Sequence, residues 1–304
     1  MKRARLIYNP SSGREHVKKH LPYILEKLEK AGYEASAHAT TGKDSAKNAA
    51  IVACERQYDL IIAAGGDGTI HEVINGMAEQ EKRPVLGILP GGTSNDFARA
   101  IHLPKSIEEA CDVLVDGRQQ SIDIGKVGEM YFINIAGAGT LTELTYEVPS
   151  KLKTMIGQVA YYVKGFEKLP RIRPNYVTIE YDGKLFEGDI MLFLVSNTNS
   201  VGGFDKLAPN AYLNDGLFDL LILKKTNLAD VVRVTSAALR GEHIHDERVI
   251  YVQANRIKVH AETDLQLNLD GEYGGTIPGE FTNLHNHVDI MVPNKKLSCF
   301  QDLY

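Results

Sequence analysis

No uninterrupted apolar run in this 304-residue chain approaches the ~18–20 residues that a membrane-spanning helix needs. The basic start, Met1-Lys2-Arg3-Ala4-Arg5, is followed by an apolar run too short for a secretory h-region. Cysteine is scarce: Cys54, Cys111 and Cys299 are widely spaced, which argues against a disulfide framework and fits reduced thiols in a cytosolic protein. A Gly-x-x-x-x-Gly-Lys-Ser/Thr P-loop is missing, which excludes a Walker-type ATPase. A Gly-x-Ser-x-Gly elbow is also missing, which argues against a hydrolase of that type. The net charge of −5 and the lack of a recognisable nucleic-acid motif disfavour nucleic-acid binding. What remains, with 43% apolar and 24% charged residues, is globular in composition and long enough for two domains. Internal repeats and low-complexity tracts are not evident.

Three segments carry the chemical information. The apolar run Leu60–Ala64 has the continuity of a strand buried on both faces, and it leads into Gly65-Gly66-Asp67-Gly68-Thr69. Helical spacing follows at Ile70, Val73, Ile74 and Met77. Strand, glycine turn and helix together place bare backbone N–H groups beside a ligand's phosphates, and glycines can take positive φ and let an anion approach. Asp67 cannot itself attract phosphate, so it points to Mg²⁺ or a ribose hydroxyl. The alternative is a tight turn and nothing more. Two further strand-to-loop junctions favour a site: Ala4–Tyr8 into Asn9-Pro10-Ser11-Ser12-Gly13, and Val85–Leu89 into Pro90-Gly91-Gly92-Thr93-Ser94-Asn95-Asp96-Phe97. In a parallel sheet all three loops gather at the carboxyl edge, where ligands of open α/β sheets bind.

Asn9–Gly13, Gly65–Thr69 and Gly91–Phe97 resemble the nucleotide-site motifs of the diacylglycerol kinase catalytic-domain superfamily, which includes sphingosine and ceramide kinases. Lys164-Gly-Phe166, Leu213-Asn-Asp-Gly216 and Leu269-Asp-Gly-Glu-Tyr273 extend the resemblance over nearly the whole chain, nearest to the soluble Gram-positive type. The Gly-Gly-Asp-Gly piece alone is shared with NAD kinases and some phosphofructokinases.

The first part of the chain alternates β and α, with helices expected at about 14–31, 43–57, 69–79 and 106–116. Pro22 falls inside the first of these and is expected to kink or restart it. Ser106 and Glu109 have capping-box spacing. Beyond about residue 120 the pattern is β-rich. One hairpin is expected around Gly128-Glu129 (121–126 with 130–135) and another around Asp182-Gly183 (176–181 with 184–187). Further strands are expected at 189–196, 217–224, 248–252, 256–260, 265–269 and 287–292. The pattern suggests an α/β domain over 1–122 and a β-sandwich domain over 123–290; the resemblance implies that the first binds the nucleotide and the second the lipid substrate, with a cleft between them. The resemblance implies that a tail from about 291 to 304 returns to the first domain.

By resemblance, Asn9, Pro10, Ser11, Ser12, Gly13, Thr40, Gly66, Asp67, Gly68, Thr69, Ile70, His71, Glu72 and Thr93 frame ATP. Asp67 would act through Mg²⁺ and water, with Asp96 in the same polar network, and Lys164 matches a lysine implicated in activity. His71 stands where related motifs often have asparagine, and Gly91 where a larger residue can stand. Glu272, after the Asp270-Gly271 turn, is expected to be the general base, with a solvent-facing turn glutamate as the alternative. Asp215 is either a hairpin-turn residue or, as the resemblance implies, a structural Mg²⁺ ligand with the carbonyls of Tyr212 and Leu217. Asn214 stands there where an acidic residue can occur. His243/His245 and His285/His287 lack cysteine or acid partners at zinc spacing and read as solvated.

Residues 149–175 carry Lys151, Lys153, Lys164, Lys168, Arg171 and Arg173 against Glu167, mixed with Tyr161, Tyr162 and Phe166. A helix of this composition suits an anionic membrane surface, the alternative being an ordinary amphipathic helix with solvated charges. The expected activity is transfer of the ATP γ-phosphate to diacylglycerol, giving phosphatidic acid, in a cytoplasmic, peripherally membrane-associated enzyme. A sphingoid base, phosphatidylglycerol or NAD are alternative acceptors, and a lipid- or ATP-sensing regulator is the non-enzyme alternative. Family precedent implies a homodimer.

Overall fold

A computed structural model describes residues 1–140, 142, 173–202 and 204–301. Most of the basic stretch, including Lys164, lies outside the described residues, and Asn175 already opens a strand.

The chain begins with alternating strands and helices. β1 (Lys2–Tyr8) leads through a 3-10 turn, Ser12–Glu15, to α1 (His16–Lys19) and α2 (Leu21–Lys30). The single helix expected over 14–31 is thus divided. Pro22 sits in the first turn of α2, where its missing N–H costs nothing, and so marks a restart. Next come β2 (Tyr33–Ala39), α3 (Ser45–Glu55), β3 (Leu60–Gly65), α4 (Asp67–Met77), β4 (Val85–Pro90), α5 (Asp96–Ala100) and α6 (Ile107–Asp116). At the N-cap of α6, the Ser106 hydroxyl accepts from the Glu109 amide at 3.2 Å.

β5 (Arg118–Val127) and β6 (Met130–Phe132) form the first hairpin, and β7 (Ile135–Ala138) follows. β8 (Asn175–Tyr181), β9 (Lys184–Ser196) and β10 (Phe218–Lys224) precede α7 (Leu228–Ala238). The chain closes with β11 (Val249–Ala254), β12 (Arg256–Ala261), β13 (Gln266–Leu269), β14 (Glu272–Thr276) and β15 (Gly279–Val292). The two strands expected at 184–187 and 189–196 are one, continuous through Gly188 at φ +153°.

β2, β1, β3 and β4 are neighbours in that order, and all are parallel. β15 joins both halves: Ile290 pairs parallel with Leu86 of β4, while the strand pairs antiparallel with β5 and β12. One apolar cluster, with Ile61, Ile70, Val73 and Phe97, covers one face of the parallel strands, and another, with Leu6, Ile24, Ile62 and Leu114, covers the other. Leu297, Cys299 and Phe300 belong to the first cluster. A third core lies among the later strands, where Phe132 stacks on Phe218 at 5.5 Å between centroids and Phe193 meets Phe281 edge-on at 6.0 Å. All three cysteines are buried and free, and burial pushes their thiols up to about 11, 12 and 11 for Cys54, Cys111 and Cys299. Among the described residues, no helix is long and apolar enough to cross a membrane.

Candidate functional site

Because β1, β3 and β4 are adjacent and parallel, the loops at their carboxyl ends touch. The Ser12 hydroxyl donates to the Gly91 carbonyl at 2.6 Å, the Asn9 amide to the Ala64 carbonyl at 3.0 Å, and the Gly91 amide to the Gly65 carbonyl at 2.8 Å. Thr40, at the end of β2, is joined to this edge through its amide to the Tyr8 carbonyl at 2.9 Å. The packing is backbone on backbone. A Cβ on Gly13, whose φ is +52°, would stand 2.3 Å from the Gly91 carbonyl oxygen, and one on Gly92 would stand 2.5 Å from the Gly66 Cα. The glycines thus serve loop-to-loop closeness. Positive φ, expected through Gly65–Gly68, occurs instead at Gly13. Asn9 shapes its own loop, its carboxamide oxygen accepting from the Ser11 amide at 3.0 Å and hydroxyl at 2.8 Å. Pro10 and Ser11 complete that loop, and Thr93 is exposed on the third.

Gly66 is the N-cap of α4, so Asp67 and Gly68 occupy its first turn with the free N–H groups. Thr69 and Ile70 are buried, which leaves chiefly their backbone for a ligand. The Glu72 side chain is turned to a neighbouring helix. Its two carboxylate oxygens accept from the Asp44 amide at 3.1 Å and the Ala46 amide at 2.9 Å, capping α3 and bracing the segment after Thr40.

Two carboxylates meet where α4 faces α5. The Phe97 amide donates to Asp67 Oδ1 at 3.3 Å. Asp96 pairs with the Arg99 guanidinium and also accepts from the Gly202 amide at 3.1 Å, which ties α5 to the later part of the chain. Burial, followed by the charge of Asp96, pushes the Asp67 carboxyl up to about 6.

On the other side of α4, Glu272 opens β14 with its carboxylate against the same helical turn: a Cβ on Gly68 would stand 3.1 Å from Glu272 Oε1. Glu272 is exposed at this position. Its turn is fixed by Asp270, whose buried carboxylate accepts from the amides of Ile133 at 2.9 Å, Asn134 at 2.8 Å and Ile135 at 3.0 Å. The same bonds end the expected 130–135 strand early, because Asp270 takes amides that a ladder would use. His71 Nδ1 is 3.2 Å from Asp270 Oδ2. Burial is the largest influence on His71 and lowers its pKa, but the Asp270 hydrogen bond and the charges of Asp270, Glu272 and Glu72 outweigh it and hold the imidazole above its ordinary value.

Asp215 lies in a second group. Its Oδ1 accepts from the Leu217 amide at 3.0 Å, and burial raises its carboxyl. Tyr212 is exposed and Leu217 half-buried. The anchor here is Asp123, which sequence reasoning missed. Wholly buried, it accepts from the Gly216 amide at 2.6 Å, the Asn286 amide at 2.7 Å and His285 Nδ1 at 2.9 Å. An acid flanked by Ile122 and Ile124 in an apolar strand was the available signal. The histidine pairs are corrected in part. His243 is buried with Nε2 2.9 Å from the Leu207 carbonyl, and His287 Nε2 is 2.9 Å from the Ala78 carbonyl, so neither is solvated. Only acceptors face these two nitrogens, which makes each the N–H donor. Among the described residues, no group of three or more His, Cys, Asp or Glu side chains could hold a metal.

Glycine loops gathered at the carboxyl edge of a parallel sheet, faced by a carboxylate from the later antiparallel strands, are an arrangement suited to a phosphate-transferring enzyme. Comparison with known proteins gives the family. Residues 3–127 match the diacylglycerol kinase catalytic domain, and residues 138–292 match the YegS C-terminal NAD kinase β-sandwich-like domain. A diacylglycerol kinase of Bacillus subtilis is 61% identical over 99% of this chain and 100% of its own length. One from Staphylococcus epidermidis is 53% identical over 96% and 92%. The crystal structure of a diacylglycerol kinase from Bacillus anthracis superposes with a TM-score of 0.80 at 27% identity, covering 96% of this chain and 97% of that one. The chain belongs to the diacylglycerol kinase family.

Proposed function

We propose that the protein transfers the γ-phosphate of ATP to the free hydroxyl of diacylglycerol, forming phosphatidic acid and ADP, with Glu272 as general base. The observation that carries this reading is the place of the Glu272 carboxylate, whose Oε1 lies 3.1 Å from where a Cβ on Gly68 would stand, at the head of the helix that receives the phosphates. Phosphoryl transfer asks the protein mainly for positioning and charge stabilisation. The loop amides, the α4 N-terminus and Thr40 orient the triphosphate. Glu272 accepts the hydroxyl proton as the oxygen bonds to the γ-phosphorus and the bond to the ADP oxygen breaks.

The donor set around α4 fits Mg²⁺. Asp67 and Asp96 hold like charges together, and the raised Asp67 carboxyl is what a hard cation would relieve. Asp67 would hold the ion through water with Asp96 beside it, and the ion would offset phosphate charge. A second, structural Mg²⁺ belongs to the same reading, with Asp215 and the carbonyls of Tyr212 and Leu217 as its ligands. The reading also takes residues 1–122 with the returning tail as the nucleotide domain and 123–290 as the lipid domain. Membrane contact through the basic stretch, a contribution from Lys164, and a homodimer complete it.

The reading is tested by phosphate transfer from labelled ATP with Mg²⁺ to detergent micelles carrying diacylglycerol, with sphingosine, phosphatidylglycerol and NAD in parallel. Labelled phosphatidic acid alone is expected. Label in another acceptor would replace the substrate, and ATP binding without any transfer would replace the enzyme by a sensor.

A further inference from the structure

We propose that His71 is a positioning residue: by donating from Nδ1 to Asp270, it couples the helix that receives the nucleotide to the turn that presents Glu272. This rests on the reading of Glu272 as base.

The coupling follows from what each group touches. His71 and Asp270 are 199 residues apart in sequence, yet their side chains are 3.2 Å apart and only 13% and 1% exposed. Asp270 is over-determined by its three backbone amide donors, so it is a fixed point of the β-rich part. It sits in the left-handed region at φ +53°, followed by Gly271 at φ +96° with its amide on the Asn268 carboxamide oxygen at 2.8 Å. Two residues after this fixed point stands Glu272. On the other side, His71 lies in α4, one turn beyond Gly68, against which the Glu272 carboxylate rests. One histidine therefore sets the distance between the helix and the base. A second tie lies one turn further along: Asn75 Nδ2 donates to the Tyr131 carbonyl at 2.9 Å, and the Tyr131 amide donates to Asn75 Oδ1 at 3.0 Å. The same Asn75 nitrogen lies 3.4 Å from His71 Nε2 and donates to the His71 carbonyl at 2.9 Å, but the two Asn75 bonds to the Tyr131 backbone need no His71 side chain, so a His71 variant keeps this tie while losing the one to the turn of the base. The charged groups facing the ring are Asp270, Glu272 and Glu72. All are acidic, which strengthens His71 as a donor.

Asparagine can place a donor where Nδ1 stands; leucine cannot, and glutamine places its donor one carbon further out. His71→Asn is therefore expected to retain clearly more of kcat than His71→Leu, which should lower kcat about tenfold to a hundredfold, the scale of a misplaced catalytic group. The ATP dissociation constant, measured directly by titration with the nonhydrolysable analogue, should move less than about threefold in both. If His71→Leu does not fold, His71→Gln takes its place, with the same expected direction. Unchanged kcat in His71→Leu, equal losses in Asn and Leu, or a loss of nucleotide binding matching the loss of turnover would each overturn the proposal. Glu272→Ala is run alongside. Turnover that survives that change removes the base reading itself, and a normal His71→Leu beside an inactive Glu272→Ala removes only the coupling.

Discussion

Substituting alanine at Gly13 should cost the protein much more than the same change at Gly128, although both residues have nearly the same backbone conformation. Their φ angles are +52° and +56°. A Cβ in the left-handed region costs about 1–2 kcal/mol, and that cost is common to both sites. What differs is the surroundings: a Cβ at Gly128 meets nothing within 4 Å, whereas at Gly13 it meets the Gly91 carbonyl oxygen at 2.3 Å, well inside the 3.0 Å that real contacts respect. The obstacle is backbone and cannot rotate away, so the two loops must separate, at the ~1–3 kcal/mol typical of overpacking. Gly13→Ala should therefore lose about 2–5 kcal/mol in all, against about 1–2 for Gly128→Ala. Thermal denaturation of the two variants beside the parent measures this, each kcal/mol lowering Tm by about 2–4 °C in a protein of this size class. ATP titration of the same samples should weaken for Gly13→Ala alone, because only that change opens the first and third loops. Equal shifts in Tm with equal ATP affinity would refute the claim that backbone contact between these loops builds the site.

Two further outcomes follow from buried carboxylates. Asp219, 1% exposed, accepts from the Tyr251 hydroxyl, and burial pushes its carboxyl up to about 6 despite that bond. A carboxyl raised on folding favours the native state most below its unfolded pKa, near 4, and that advantage is lost as pH rises through about 6. Asp219→Asn, which keeps an acceptor for Tyr251, should thus be stabilising by up to ~3 kcal/mol at pH 8 and neutral near pH 4, read from denaturant midpoints; a gain that is flat with pH would contradict this. Glu72→Ala should free the Asp44 and Ala46 amides, costing about 1–3 kcal/mol and weakening ATP binding through the Thr40 segment. Weaker ATP binding with unchanged stability would instead make Glu72 a direct nucleotide contact.

The parts of the site that are legible in the sequence are local ones. Strand, glycine loop and helix follow one another within a dozen residues at β1, β3 and β4, and the family resemblance spans the chain. The Pro22 restart and the Ser106 cap are also written locally. Elements whose signals are weak or distant escape such a reading. β2 reads Tyr-Glu-Ala-Ser-Ala-His-Ala, an edge strand without a buried position, so periodicity has nothing to register. α5 is too short for a helical period, and α7 falls in a stretch whose neighbours all read as β, although Asn227 caps it through the Asp230 amide at 3.0 Å. The braces are tertiary. Glu72 to α3, His71 to Asp270, and Asp123 to the Gly216 and Asn286 amides join residues far apart in sequence, and no spacing rule anticipates them. Those braces decide where Glu272 and the loops at the ends of β1, β3 and β4 stand.

The most direct test of the account is single-turnover transfer from ATP to diacylglycerol by Glu272→Gln, with analogue binding measured on the same preparation. Glutamine preserves the shape and removes the proton acceptor. The account predicts a transfer rate lower by about a hundredfold or more, with nucleotide affinity and Tm close to the parent. Transfer at the parent rate, or a loss explained wholly by weaker nucleotide binding, would show that the carboxylate beside Gly68 is not the base.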